Sequence, residues 1–127
     1  PPPPPPPPPP FFLHHHPANP HFCLSRGLGD VYKRQGYNAA KRCALSIIAQ
    51  VKKACNNDLS KVKSCVKLTG FVNSTDEFID QPKVLNGASD LIASVFGDAG
   101  MHTRAAVSTN SLPLGVSVEV DAIFELK

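Results

Sequence analysis

From Tyr37 onward the apolar residues Ala40, Cys43, Ala44, Ile47, Val51, Ala54 and Cys55 recur at three- and four-residue intervals, and Lys41, Arg42, Lys52 and Lys53 lie off that stripe. This spacing predicts an amphipathic helix with one buried face. Asn56, Asn57 and Asp58 then supply the turn chemistry that stops it. After the turn the period falls to two. Val62, Ser64, Val66, Leu68, Gly70 and Val72 alternate with Lys61, Lys63, Cys65, Lys67, Thr69 and Phe71, which predicts a strand with one mostly apolar face, closed by Asn73, Ser74 and Thr75.

Past Pro82 a helical stripe returns through Val84, Leu85, Ala88, Leu91, Ile92, Val95 and Phe96, with Asn86, Ser89, Asp90 and Ser94 on the polar side and an end near Gly97 and Gly100. Two more strands follow, over 103–109 and 116–126. The last sets Val116, Val118, Val120, Ala122, Phe124 and Leu126 against Ser117, Glu119, Asp121 and Glu125. The order helix, strand, helix, strand, strand predicts an α+β fold with two helices on one face of a sheet. Three strands are few for two helices. The sheet is expected to be completed either by strands missing from the N-terminal side or by another subunit.

The first thirty-five residues carry no such period. Ten consecutive prolines, Pro1 to Pro10, lack the backbone donor that a helix or central strand needs and read as an extended rod. Asp30-Val-Tyr-Lys-Arg-Gln35 back-translates to GAT GTG TAT AAG AGA CAG, similar to a transposon mosaic end used in sequencing libraries. Residues 1–35 are therefore expected to be a non-native or disordered Pro-rich segment that packs little against a domain spanning 36–127. His14, His15, His16 and His21 have no carboxylate or backbone frame to set ligand geometry, so no metal site is assigned to them.

The formal charge of +3 thins to +1 over residues 36–127, where ten Lys or Arg face nine Asp or Glu. That balance, with no interleaved aromatics, argues against tight nucleic-acid binding. Cys23, Cys43, Cys55 and Cys65 form no CxxC and no zinc spacing, so unpaired buried thiols in a reducing compartment are expected. No run approaches the ~20 apolar residues of a membrane span, and no signal core opens the chain, so the expected location is the cytoplasm.

Candidate chemistry gathers in Gly97-Asp-Ala-Gly-Met-His-Thr-Arg104-Ala-Ala-Val and in Leu112-Pro-Leu-Gly115-Val-Ser-Val-Glu119-Val. A guanidinium such as that of Arg104 grips a carboxylate at two points and stays charged; a surface ion pair is the plainer alternative. Glu119 could accept a proton from water, or simply be a solvated strand residue. His102, two residues before Arg104, could assist proton transfer or only frame its loop. No serine, cysteine or lysine is placed by spacing beside a histidine base and an orienting carboxylate, so no nucleophile triad is read. Gly97-x-x-Gly100 is no phosphate loop either.

An arginine opening a strand, a Leu-Pro turn and a strand with an embedded glutamate resemble the C-terminal part of the Rid (YjgF/RidA, endoribonuclease L-PSP, chorismate mutase-like) family. Lys67-Leu-Thr-Gly-Phe-Val-Asn73 and Asp76-Glu-Phe78 fit the same template. The resemblance implies a homotrimer of chorismate mutase-like fold and a hydrolase of the 2-iminobutanoate/2-iminopropanoate deaminase type. In that reading Arg104 holds the carboxylate of a 2-imino acid, Glu119 directs water at the C=N carbon with His102 assisting, and ammonia and a 2-oxo acid leave without any cofactor. Ala106 stands where many members place a pocket cysteine, and the family's N-terminal hairpin is missing, so impaired activity is expected. The alternatives are a non-catalytic trimer that binds a small carboxylate and an endoribonuclease.

Overall fold

The computed structural model of the chain describes residues 1–3 and 29–127. The four N-terminal histidines, Cys23 and most of the proline run lie outside the described residues. Helix α1 spans Gly29–Ala54, strand β1 Val62–Asn73, helix α2 Gln81–Phe96, strand β2 Thr103–Thr109 and strand β3 Val118–Leu126. Short 3-10 turns at Leu59–Lys61, Gly97–Gly100 and Pro113–Gly115 join them.

Each helix stops where its sequence says it should. After α1, Asn57 N–H donates to the Lys52 carbonyl at 2.8 Å and Asn56 N–H to Lys53 at 3.2 Å, with both asparagines at positive φ. That crossed pair of bonds is the Schellman ending, in which asparagine can replace the usual glycine. Asp58 accepts from the backbone N–H of Ser60 at 3.0 Å and its hydroxyl at 2.6 Å, which holds its carboxyl below the usual range. At its N-terminal end α1 starts at Gly29 and so runs through residue 36. Lys33 reaches Asp80, ahead of α2, at 2.7 Å.

The sheet order is β2-β1-β3, with β2 parallel and β3 antiparallel to the central β1. Both helices pack on one face of this mixed sheet. Ile47 and Val51 of α1, Leu85 and Ile92 of α2, Leu68 and Val72 of β1 and Val118 and Val120 of β3 are shut off from solvent in one core. Phe96 of α2 meets Phe124 of β3 with ring centroids 5.6 Å apart. The two helices touch backbone to backbone. A Cβ on Gly87 of α2 would stand 1.9 Å from the carbonyl oxygen of Tyr37 in α1, so only glycine permits the approach.

Strand β1 departs from strict alternation. Register shifts fall between Val62 and Ser64 and between Cys65 and Lys67, the marks of inserted residues in a strand. Each insertion moves the inward phase by one. Val62, Cys65, Leu68, Gly70 and Val72 therefore face the helices, while Val66, expected inside, is 45% exposed. Val95 of α2, also expected inside, is 44% exposed. Cys43, Cys55 and Cys65 are buried and none is in a disulfide. Burial pushes the Cys43 thiol up to about 12 and that of Cys65 up to about 11, so both behave as small apolar groups.

Among the described residues no helix is long and apolar enough to cross a membrane. Among the described residues nothing packs on the sheet face away from the helices, here called the bare face. On it Lys67, Thr69 and Phe71 of β1 lie between Thr103, Ala105 and Val107 of β2 and Ile123, Asp121 and Glu119 of β3.

The Gly87 contact generates a direct test. Gly87→Ala forces the helix backbones apart or bends α2, and overpacking of this kind costs about 1–3 kcal/mol. Thermal unfolding followed by circular dichroism should show a clear drop in midpoint; an unchanged midpoint would mean the helices are not held this close.

Candidate functional site

The pleat decides where each candidate residue points. Gly70 faces the helices, since a Cβ there would lie 2.6 Å from a Leu85 methyl carbon. Its register partners, Ala106 in β2 and Val120 in β3, share that face. Arg104, two residues from Ala106, therefore points toward α2, whereas Glu119, next to Val120, points to the bare side. Arg104 lies opposite Leu68 and Glu119 opposite Phe71, on the two outer strands. At ~3.3 Å per residue and ~4.8 Å per strand, their backbones stand more than about 10 Å apart. Within one chain the structure does not bring the arginine and the glutamate together.

What it does bring together is a chain of hydrogen bonds between β2 and α2. Arg104 Nη1 donates to Asn86 Oδ1 at 2.7 Å and to Ser89 Oγ at 3.2 Å. Ser89 Oγ is 2.9 Å from His102 Nε2, and His102 Nδ1 is 2.6 Å from the carbonyl oxygen of Gly100. A carbonyl only accepts, so Nδ1 donates to Gly100. With Nδ1 carrying the proton of a neutral ring, Nε2 offers its lone pair to the Ser89 hydroxyl, whose oxygen accepts from Arg104. Each of these four contacts then pairs one donor with one acceptor.

Local sequence explains each position. Asn86 and Ser89 sit three apart on α2 and so share a helix face. Gly97, at φ 60, turns the chain out of α2, and Gly100 packs so tightly that a Cβ would lie 2.5 Å from the Ile92 carbonyl oxygen. That contact fixes the Gly100 carbonyl which His102 needs. Thr103 secures the start of β2 by donating from its hydroxyl to the Val66 carbonyl at 3.1 Å.

Of the residues singled out in the sequence, Arg104 and His102 meet through Ser89, and Ala106 packs half-buried against the core behind them. Glu119 stands apart, half-buried on the other face. Asn86 and Ser89 were recognised only as the polar side of a helix. The signal that could have raised them was their shared helical face opposite an arginine-bearing strand. The contact itself, thirteen residues along the chain from Ser89 to His102, is tertiary.

The hydrogen-bond chain predicts a tautomer. Long-range 15N–1H correlation spectra should show the His102 ring protonated at Nδ1, with the assignment made by loss of the signal in His102→Gln. A ring protonated at Nε2 alone would break the chain as described.

Comparison with known proteins adds the family. The model of the family described as "YjgF/chorismate mutase-like, putative endoribonuclease" matches residues 22–126. Protein TCP17 of Trypanosoma cruzi is 48% identical over 106 residues, which are 82% of this chain and 66% of that protein. A crystal structure of a protein of unknown function from Agrobacterium tumefaciens is 53% identical with a TM-score of 0.73, covering 75% of this chain and 61% of its own. One from Shewanella oneidensis, named a "putative endoribonuclease", is 35% identical with a TM-score of 0.74, covering 82% of this chain and 67% of its own. The chain thus spans about two-thirds or less of the length of these relatives. With two helices on one face of a mixed sheet, and a match running over residues 22–126, the chain belongs to the YjgF/chorismate mutase-like family.

Proposed function

We propose that this domain is a Rid-type enamine and imine deaminase, taking a 2-imino acid to a 2-oxo acid and ammonia at a site shared between copies of the chain in a homotrimer. The observation that carries the reading is the presentation of Arg104. It stands exposed on an outer strand, and its described hydrogen bonds to Asn86 and Ser89 both run through Nη1. Anchored on that side, the fork can turn its other donors to a planar carboxylate.

Glu119 enters from a second copy. Since it points away from Arg104 within one chain, a carboxylate gripped by Arg104 and a water directed by Glu119 can meet only if another copy brings its bare face or edge to the β2 side. Both β2 and β3 are edge strands among the described residues, and Val66, Val107, Phe71 and Ile123 give the bare face an apolar share that association would cover. Glu119 then accepts a proton from water as the oxygen adds to the C=N carbon, and collapse of the resulting amino alcohol expels ammonia. No cofactor enters this scheme.

Ala106 favours a second reading, a carboxylate-binding trimer without turnover, because its methyl group brings no proton-handling chemistry to the pocket wall. The endoribonuclease in the names of the family and of the Shewanella protein is a third. The near-neutral charge of residues 36–127 counts against it, and filter binding of single-stranded RNA that stays negative at low salt would remove it.

The test of the first reading is ammonia release from a freshly generated 2-imino acid. Arg104→Lys keeps the charge and loses the two-point grip, so kcat/KM should fall about ten- to hundredfold, as for loss of a hydrogen bond to a charged group worth ~1.5–3 kcal/mol. Glu119→Gln keeps the shape and cannot take the proton, so kcat should fall with little change in KM. If both variants turn over like the parent, the binding-module reading replaces the deaminase.

A further inference from the structure

The serine in the Arg104 cluster is placed for more than holding an arginine. Serines inside helices commonly turn back to their own backbone, as Ser94 does by donating to the Leu91 carbonyl at 2.8 Å. Ser89, five residues earlier on the same helix, is aimed instead across the gap to Nε2 of His102 at 2.9 Å. The Gly100 carbonyl holds the other ring nitrogen at 2.6 Å and so sets the tautomer that can take a proton from the hydroxyl. A hydroxyl, a base within hydrogen-bond reach and a third group that orients the base make up the arrangement of an activated nucleophile. Here the third group is a backbone carbonyl instead of a carboxylate.

Two further features favour charge on the serine oxygen. Arg104 Nη1 donates to the same Oγ at 3.2 Å, and a fixed positive group beside an oxygen stabilises negative charge developing on or next to it. Ser89 and His102 are both half-buried while Arg104 is exposed, so the hydroxyl lies at the margin of the core.

We propose that Ser89 and His102 form an acyl-transfer centre with Ser89 as nucleophile and His102 as base, acting on small activated carboxylic esters. Ser89 Oγ bonds to the ester carbonyl carbon as His102 Nε2 takes the hydroxyl proton, and the carbonyl electron pair moves onto its oxygen beside Arg104. Collapse re-forms the carbonyl and breaks the bond to the alcohol, which leaves with the proton from Nε2. Water then repeats the sequence. It gives a proton to Nε2 and its oxygen to the acyl carbon, and Ser89 departs with that proton. The sum is ester plus water to acid plus alcohol, with no oxidant or second reagent. The centre goes beyond the deaminase reading and makes no use of Glu119.

The experiment treats the full chain with a fluorophosphonate and, separately, with p-nitrophenyl acetate, and maps adducts by peptide mass spectrometry. A single adduct on Ser89, with Ser94 unmodified at the same dose, is the expected result. His102→Gln should slow that labelling at least tenfold while the far-ultraviolet circular dichroism stays that of the parent. Absence of any adduct on Ser89 overturns the proposal, as does labelling of His102→Gln at the parental rate. The readout is the serine itself and not ammonia, so failure of the deaminase reading leaves this test intact.

Discussion

The approach of Leu85 to Gly70 fixes the phase of the sheet, and the placement of each chemical group follows from it. Because side chains alternate across a strand, one contact that pins Gly70 to the helix face also pins Ala106 and Val120, its neighbours in register. Arg104 is then obliged to meet α2 and Glu119 to leave it. A side chain at position 70 would collide with Leu85 and push helix and sheet apart. The fold therefore separates the two residues that the deaminase reading needs, and under that proposed reading assembly becomes part of the chemistry.

The second constraint is the rigid frame around Arg104. Glycines at 87 and 100 let α2 lie against the α1 backbone and let the following turn fold onto the α2 backbone, each at a distance that a Cβ would forbid. These contacts hold Asn86, Ser89 and the Gly100 carbonyl in one place. A flexible side chain such as arginine loses rotamer freedom when it binds a ligand, and prior fixing by Asn86 and Ser89 removes part of that cost. The same frame turns Ser89 toward His102.

Most of the fold was legible in the chain. The stripes that became the buried faces of α1 and β3 are where periodicity placed them, and the asparagines after α1 end it by the expected turn chemistry. Two buried faces were misread in part. In β1, inserted residues near Val62 and Cys65 reset the alternation, and nothing in Lys63-Ser64-Cys65-Val66 advertises a bulge, because it depends on how β3 pairs alongside. In α2, Val95 belongs to the apolar stripe yet is 44% exposed, while its neighbour Phe96 meets Phe124 of β3. For the candidate site, residue type and motif single out Arg104 and His102, which the structure joins through Ser89. Ser89 reads in the sequence only as part of a polar helix face, because its partner lies beyond a helix end and a turn; in the fold the two stand 2.9 Å apart. The opposite facing of Arg104 and Glu119 was implicit in strand parity but needed the register of both with β1 to become visible.

Complementation tests the central claim, that Arg104 and Glu119 serve one site only from different copies. Chains carrying Arg104→Ala and chains carrying Glu119→Gln are each expected to release almost no ammonia from a 2-imino acid. Unfolded together, refolded as a mixture and assayed, they should recover activity well above either alone, since mixed assemblies contain sites with an intact arginine from one copy and an intact glutamate from another. No recovery at any mixing ratio, from mixtures shown by mass to contain both chains in one assembly, would contradict the shared site and the division of labour built on it.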